Sequence, residues 1–425
     1  MKRIFGLVAS FVLTATLAFS ATACGNSKND SSSDEAFTLK YDLNEDDEND
    51  VYYVLSGFTV SDEAQKLANK GDYDALAKLF NKKLGKDEYT AETVRTFTVA
   101  SEYKADGATE AHPVKEISAS AISGLSFIKE IVVPETIEKI AGGAFSNLTS
   151  LEKITLPFTG EKLGAVNGKK SFGYIFGTSS GTGLTSYEQK YNEGSSATTT
   201  YYVPSTLKTV VITGDNKSDE GKTLYYKLKL ADNTKYELTK EEYDAFEDND
   251  EYKKYTLTSA GEKHYAVPAY AFYGCNSLET VTLSGDIEKI DDYTFSGCTS
   301  IKTYSLKDVT AVLGEYAFNG CTSLESVDFT GVTTIGAHAF DGCTALGKES
   351  TVMKHAVTLS DVTTIGEYAF NGCTAMTDLT LNANVNLGAC AFKGCTKLST
   401  VTNRPEYNGN VDEDPFLNCD KLKNE

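Results

Sequence analysis

The amino-acid sequence predicts an α/β repeat solenoid: one short parallel strand per repeat of about 22–23 residues, an N-terminal α/β cap and two β-rich insertions. Three observations carry this. A segment of the type Ala-Phe-x-Gly-Cys recurs down the C-terminal part of the chain. Each copy leads into a run of alternating apolar residues. The stretches that break the recurrence either carry helix start and stop signals or are rich in Gly, Ser, Thr and Tyr.

The main array spans residues 266–425. Ala271-Phe272-Tyr273-Gly274-Cys275-Asn276-Ser277-Leu278 is echoed from Thr294, Ala317, Ala339, Ala369 and Ala391, and a worn copy runs from Pro415 to Cys419. Phe272, Phe295, Phe318, Phe340, Phe370, Phe392 and Phe416 are spaced 23, 23, 22, 30, 22 and 24 residues apart. The long interval is one ordinary unit plus an insertion near Gly347–Lys354. In each unit an apolar residue, two variable ones and apolar-x-apolar form a strand, as in Leu278, Val281 and Leu283. Alternation sends Val281 and Leu283 inward and Thr280 and Thr282 outward. A second apolar pair follows, such as Val332 and Ile335, before the next Ala-Phe begins a tight turn. Such a unit cannot bury its apolar stripe alone, so neighbours must stack. Earlier copies occur within 101–157, at Ile128, Ile131 and Val133 and at Ala144-Phe145 with Ile154 and Leu156. Leu207, Val210 and Ile212 make a further strand.

This pattern resembles the BspA-like leucine-rich repeats of bacterial surface proteins, over residues 95–425 with two interruptions. The resemblance implies a right-handed solenoid with a parallel sheet on its concave face, surface exposure and roles in adhesion or recognition. It implies no enzymatic activity and supplies no catalytic residues.

Residues 1–23 have the order of a secretory signal peptide: Lys2 and Arg3, an uncharged apolar run Ile4–Phe19, then Ala21-Thr22-Ala23. The small residues before Cys24 resemble a bacterial lipobox, which implies lipidation at Cys24, with Ala21 standing where lipoboxes usually carry Leu. The alternative is an ordinary signal peptide that leaves Cys24 a free thiol. Residues 24–36 read as a flexible polar tether, which places the body at the extracellular face of the membrane, held by lipid alone. A net charge of -20 argues against nucleic acid and against an electrostatic grip on anionic lipid.

Residues 37–100 read as a cap with a helical hairpin. Val51–Val60 is strand-like, Ser61 with Asp62 and Glu63 starts a helix, and Gly71 stops it. Tyr73, Leu76, Phe80 and Leu84 lie on one face of a second helix ended by Gly85. Residues 158–265 hold two Tyr-rich insertions flanking the Leu207 strand, the second with strand-like Thr223–Leu230 and Lys235–Leu238. Tyr187, Tyr191, Tyr201, Tyr202, Tyr225 and Tyr226 are candidate ligand contacts there; equally, these aromatics pack the insertions on the solenoid flank. On the concave face the candidates are Thr280, Thr282, Thr303, Ser305, Ser326, Asp328, Asp378 and Thr380, whose hydroxyls and carboxylates suit a glycan or peptide.

Two ladders tempt a chemical reading. One cysteine per unit (Cys275, Cys298, Cys321, Cys343, Cys373, Cys395, Cys419) fits buried reduced thiols better than disulfides, because side chains at one slot point the same way. The slot before Ala-Phe holds Tyr270, Tyr293, Tyr316, His338, Tyr368 and Cys390, a packing stripe or an aromatic strip for a partner. Catalytic, metal and cofactor motifs are absent from the sequence. The expected function is therefore binding of a protein or glycan at the cell surface. The alternative is a structural envelope protein that binds its own wall; an enzyme within the insertions ranks below both.

Overall fold

A computed structural model of the chain describes residues 36–422 except 45–49, 86, 106, 192–197, 214–222, 230–234, 239–242, 244, 248, 250–251, 259–264, 284–286, 308 and 349–355. The expected signal peptide, lipidation at Cys24 and tether fall on residues up to 35, which lie outside the described residues. Ala36, read as the end of the tether, is buried, and its carbonyl accepts from the Ser61 N–H at 3.0 Å. Ala36 therefore belongs to the folded body.

Two series of parallel strands run along the solenoid, the first divided into three sheets and the second forming one six-stranded sheet. The sheet read as concave begins with Thr96–Thr98, Glu130–Val132, Lys153–Leu156, Thr209–Ile212 and Thr280–Leu283 in register. Thr303–Ser305 with Ser326–Asp328, then Val357–Leu359, Asp378–Leu381 and Thr400–Thr402, continue the series. The second apolar pair of each unit also forms a short strand. Tyr265–Val267, Ile287–Ile290, Val309–Leu313, Thr334–Ile335, Thr364–Ile365 and Asn386–Leu387 make a six-stranded parallel sheet. Each unit thus contributes a second strand beside the one legible as apolar-x-apolar.

The Ala-Phe segments are irregular turns stacked on one another. The N–H of Phe295 donates to the Ala317 carbonyl, that of Phe318 to Ala339, Phe340 to Ala369 and Phe370 to Ala391, each at 2.7 Å. The Phe rings from 272 to 416 stack with centroids 5.0–5.3 Å apart. After the second strands that end at Leu313, Ile335, Ile365 and Leu387 the backbones approach so closely that only glycine fits, whereas Val267 and Ile290 are followed by Pro268 and Asp291. A Cβ on Gly336 would stand 2.7 Å from the Gly314 carbonyl carbon and 2.8 Å from the Glu315 nitrogen. In the last turn the Phe416 N–H, which elsewhere donates to the next turn, donates to Asp414 Oδ1 at 2.8 Å. The Arg404 guanidinium lies 5.1 Å from the Phe416 ring centroid. Asp414 and Arg404 thereby cap this end of the stack.

One turn comes from a stretch that the sequence marks as insertion. Between the Phe145 and Phe272 turns, the 3-10 segment Phe172–Phe176 fills the gap. Phe145 N–H donates to the Ile175 carbonyl at 2.9 Å and Phe172 N–H to the Ala271 carbonyl at 2.8 Å. The Phe172 ring sits 5.2 Å from Phe272. Part of 158–265 is therefore solenoid. The excursions proper are an antiparallel hairpin, Leu184–Lys190 with Thr198–Pro204, and an antiparallel sheet of Lys235–Leu238, Thr223–Lys229 and Tyr252–Thr258.

At the N-terminus, Phe37–Asn44 pairs antiparallel with Tyr52–Val60, which runs parallel to His112–Ile117 and so joins the cap to the array. Helix α1 (Asp62–Lys70) is capped by the Ser61 hydroxyl, which accepts from Ala64 N–H at 3.2 Å, and ends at Gly71 with φ 71°. Helix α2 (Tyr73–Leu84) ends at Gly85 with φ 64°. It buries Leu76 and Phe80, the latter 5.1 Å from Phe37, while Phe58 stacks 4.6 Å from Phe97 in the first strand of the array. Among the described residues no helix is long and apolar enough to cross a membrane.

Candidate functional site

Strand alternation decides what the first sheet offers. Val281, Leu283, Leu379 and Leu381 point into the core. Thr280, Thr282, Thr303, Ser305 and Asp328 are exposed on the other face, with Ser326, Asp378 and Thr380 half-buried among them. Register brings them into two columns: Thr303 lies beside Ser326 and Ser305 beside Asp328, while Asp378 lies beside Thr400 and Thr380 beside Thr358 and Thr402. All eight concave candidates therefore share one face. Asp328 Oδ1 accepts from the Thr330 hydroxyl at 2.7 Å and the Thr330 N–H at 3.1 Å, which holds its carboxyl below the usual aspartate range. Asp378 accepts from the Thr377 hydroxyl at 2.8 Å.

A third column, one residue ahead of the strands, is not legible in the sequence as a unit. It runs Lys129, Glu152, Lys208, Glu279, Lys302, Glu325, then Thr377 and Ser399. Lys129 pairs with Glu152 at 2.5 Å and Lys208 with Glu279 at 3.6 Å, and Glu325 pairs with Lys348 at 3.5 Å. Alternating signs neutralise this rim over the first repeats. Being exposed, each pair contributes well under about 1 kcal/mol. Past the 349–355 segment the column carries hydroxyls instead of charges.

The Tyr-rich hairpin behaves differently from the candidate reading. Tyr187 is 1% exposed and Tyr201 4% exposed, so neither can meet a ligand. Alternation in the hairpin turns Tyr187, Gln189, Tyr201 and Val203 toward the solenoid. The Tyr187 hydroxyl hydrogen-bonds the Ser277 hydroxyl, and burial pushes its phenol pKa up. The Tyr201 hydroxyl donates to the Gly168 carbonyl at 2.9 Å. Tyr191 and Tyr202 are half-buried. Tyr225 and Tyr226 sit in the Thr223–Lys229 strand, and their side chains lie outside the described residues.

Sequence reasoning missed Gln189. Its amide oxygen accepts from Gly173 N–H at 2.7 Å, and its nitrogen donates to the carbonyls of Ala271 and Tyr273 at 3.2 Å. This fully buried amide stitches the Phe172–Phe176 turn to the next one. A Gln in an alternating, exposed-looking strand carries no sequence signal of such a role.

Both ladders are now defined. The repeat thiols are free and buried. From Cys298 to Cys419, each Sγ–H donates to the Phe carbonyl of the preceding turn, at 3.1–3.4 Å, as in Cys321 to Phe295 and Cys343 to Phe318. Burial raises the thiol pKa from Cys275 to Cys373, that of Cys321 to about 12. The slot before Ala-Phe is left-handed throughout, from Tyr270 (φ 65°) to Cys390 (φ 55°), a conformation that strains non-glycine residues. Ring stacking offsets the strain: centroids are 4.8 Å apart for Tyr270–Tyr293, 4.5 Å for Tyr293–Tyr316 and Tyr316–His338, and 5.1 Å for His338–Tyr368. Asp341 Oδ2 bonds His338 Nδ1 at 2.8 Å, and Lys393 stands 5.3 Å from the Tyr368 ring. Among the described residues no group of three or more His, Cys, Asp or Glu side chains could hold a metal ion.

The stacked two-strand units agree with a direct sequence match: six copies of the BspA type leucine rich repeat region, over residues 109–172, 239–359 and 349–424. The chain belongs to this family. Solved structures similar to this BspA-type chain include a leucine rich repeat protein of T. pallidum, at 14% identity over 85% of this chain and 87% of that one, with a TM-score of 0.26. A leucine rich cell surface protein of Faecalibacterium prausnitzii A2-165 is 14% identical over 90% and 96% of the two chains, with a TM-score of 0.25. A leucine-rich repeat protein of Eubacterium ventriosum ATCC 27560 is 15% identical over 87% and 94%, with a TM-score of 0.29. No curated protein matches the chain.

Proposed function

We propose that this BspA-type chain is a lipid-anchored cell-surface binding protein without catalytic activity, and that it recognises a protein or glycan through its outward sheet columns. The observation that carries the reading is the face formed by Thr280, Thr282, Thr303, Ser305 and Asp328. It is exposed, ordered by strand register and uncovered by either excursion among the described residues. Burial of Tyr187 and Tyr201 supports the same choice, since it makes the hairpin a brace more than a paratope. The N-terminal order of basic, apolar and small residues before Cys24 supports the anchor.

The test is a binding screen of the chain from Ala36 against glycans, matrix proteins and purified cell wall. Thr282→Glu with Ser305→Glu is expected to abolish whatever binding is found, and Tyr191→Ser with Tyr202→Ser to leave it intact. The opposite pattern moves recognition to the hairpin. Retention by wall material alone makes the protein a structural envelope component. Palmitate labelling that survives Cys24→Ala refutes the anchor.

A further inference from the structure

Among the described residues, the first series of strands ends at Thr400–Thr402 with a backbone acceptor left open. Along the array, the carbonyl one residue ahead of a strand accepts two successive N–H groups from the following unit. Lys129 accepts from Glu152 and Lys153 at 2.7 and 3.0 Å, Lys302 from Glu325 and Ser326 at 2.7 and 3.3 Å, and Thr377 from Ser399 and Thr400 at 3.0 and 3.3 Å. The Ser399 carbonyl is next in this series, and no described residue donates to it. The apolar layer beneath is unfinished at the same place: Val401 and Leu422 are half-buried, whereas their counterparts Leu379 and Leu398 in the preceding unit are buried. A cavity of about 760 Å³ opens against this edge, lined by Ser399, Val401, Leu422, Arg404, Glu406 and Asp414 among others. Arg404 stands two residues past the strand, exposed, and its guanidinium forms no ion pair with a described residue.

We propose that this edge binds the C-terminal tail of a partner polypeptide as an added parallel strand whose terminal carboxylate meets Arg404. One carbonyl taking two successive N–H groups is the bonding pattern of the parallel junctions above it, so a tail that runs alongside Thr400–Thr402 in the same direction completes the series. Its residues opposite Ser399 and Thr400 donate to the Ser399 carbonyl. An apolar residue opposite Val401 covers Val401 and Leu422. Running toward Arg404, the tail ends opposite Asn403, within reach of the guanidinium. A planar fork holds a carboxylate through two charge-assisted hydrogen bonds. Glu406 and Asp414 share the cavity and repel acidic side chains, so a single carboxylate at the terminus is the anion that the site takes. Asp414 Oδ1 is already engaged by the Phe416 N–H at 2.8 Å. Main-chain bonds supply the affinity of such an addition, and the alternate side chains supply its specificity. The site is distinct from the outward columns, because it uses the strand edge and the inward layer.

The experiment titrates the full chain into a fluorescein-labelled peptide Ser-Thr-Val-Thr-Asn, which copies the strand Ser399–Asn403, and follows anisotropy. The free acid is expected to bind, and the same peptide with an amidated C-terminus to bind about ten- to a hundredfold more weakly. Arg404→Ala should bring acid and amide to the same weak affinity. Arg404 also covers the Phe416 ring, so the fold of the variant is checked by circular dichroism. Should it fail to fold, Arg404→Lys keeps a cation beside the ring and loses the fork, and the preference for the acid should shrink without vanishing. An unlabelled amide that carries its carboxylate at the other end, on an N-terminal succinyl group, should compete no better than the acetylated amide. Equal affinity of acid and amide for the wild type overturns the site, as does a preference that survives Arg404→Ala. Competition by the succinyl peptide as strong as that of the acid overturns the parallel direction. No binding of the acid at millimolar concentration overturns the proposal; self-association of the chain that Arg404→Ala abolishes then assigns the edge to a second copy.

Discussion

Removing a single oxygen should make the protein more stable. Tyr304 lies in the Thr303–Ser305 strand at the inward position that other units fill with Val281, Val327, Leu379 and Val401. Its ring packs against Phe295 and Phe318 with centroids 5.2 Å and 5.0 Å away. The hydroxyl is buried with no hydrogen-bond partner among the described residues, and burial pushes the phenol pKa well up. A buried hydroxyl left unsatisfied costs about 1–3 kcal/mol. Tyr304→Phe keeps both ring contacts and leaves a void of about 10 Å³, worth about 0.2 kcal/mol at the usual cavity coefficient. The net expectation is a gain of about 1–2.5 kcal/mol. Urea unfolding of both proteins, followed by far-ultraviolet circular dichroism, should show a higher midpoint at unchanged slope. Because repeat arrays can open segment by segment, amide exchange at Ser305 and Val327 gives a local reading of the same quantity. An unchanged or lower midpoint, with exchange no slower, refutes the reasoning and means the hydroxyl has a partner such as a trapped water.

The thiol ladder predicts alkaline weakness. Burial raises the pKa of Cys275, Cys298, Cys321, Cys343 and Cys373 above the ordinary 9.0, so above that pH the unfolded chain loses thiol protons that the folded one keeps. Stability is then full below pH 9 and falls by roughly 1.4 kcal/mol per thiol per pH unit above it, readable as a melting temperature that drops steeply between about pH 9 and 11. Gly336→Ala forces a Cβ onto the backbone of the previous turn and should cost about 1–3 kcal/mol or more, seen as a lowered denaturation midpoint. Gln189→Leu strands the Gly173 N–H and two carbonyls and should cost about 2–4 kcal/mol, with fast exchange appearing first at Gly173.

Much of the array is legible in the order of amino acids alone. The spacing of Phe272 to Phe416 and the cysteine three residues after each Phe announce stacking in register. Ser61 and Gly71 mark the ends of α1 through capping chemistry that is local to a few residues. The outward set Thr280, Thr282, Thr303 and Ser305 follows from strand alternation. The first strand, Phe37–Asn44, is not legible in this way, because polar residues such as Asp42 and Asn44 blur its alternation, and pairing with Tyr52–Val60 is what holds it. The alternating rim from Lys129 to Glu325 becomes a column only when residues far apart in sequence are stacked.

What the sequence by itself determined is therefore the repeat, its register and the identity of each stacked column, because identical residues at identical positions face the same neighbours in every unit. Tertiary packing decided the rest. It placed Phe172–Phe176 in the gap between two turns, although that segment lacks the Ala-Phe-x-Gly-Cys pattern, since two apolar rings and a run of free backbone groups were available to fill it. It also turned Tyr187 and Tyr201 inward. Alternation fixes that the two hairpin faces differ, but which face meets the solenoid depends on contacts with Gly168, Gly173 and Ser277, and those exist only once the chain has folded back on itself.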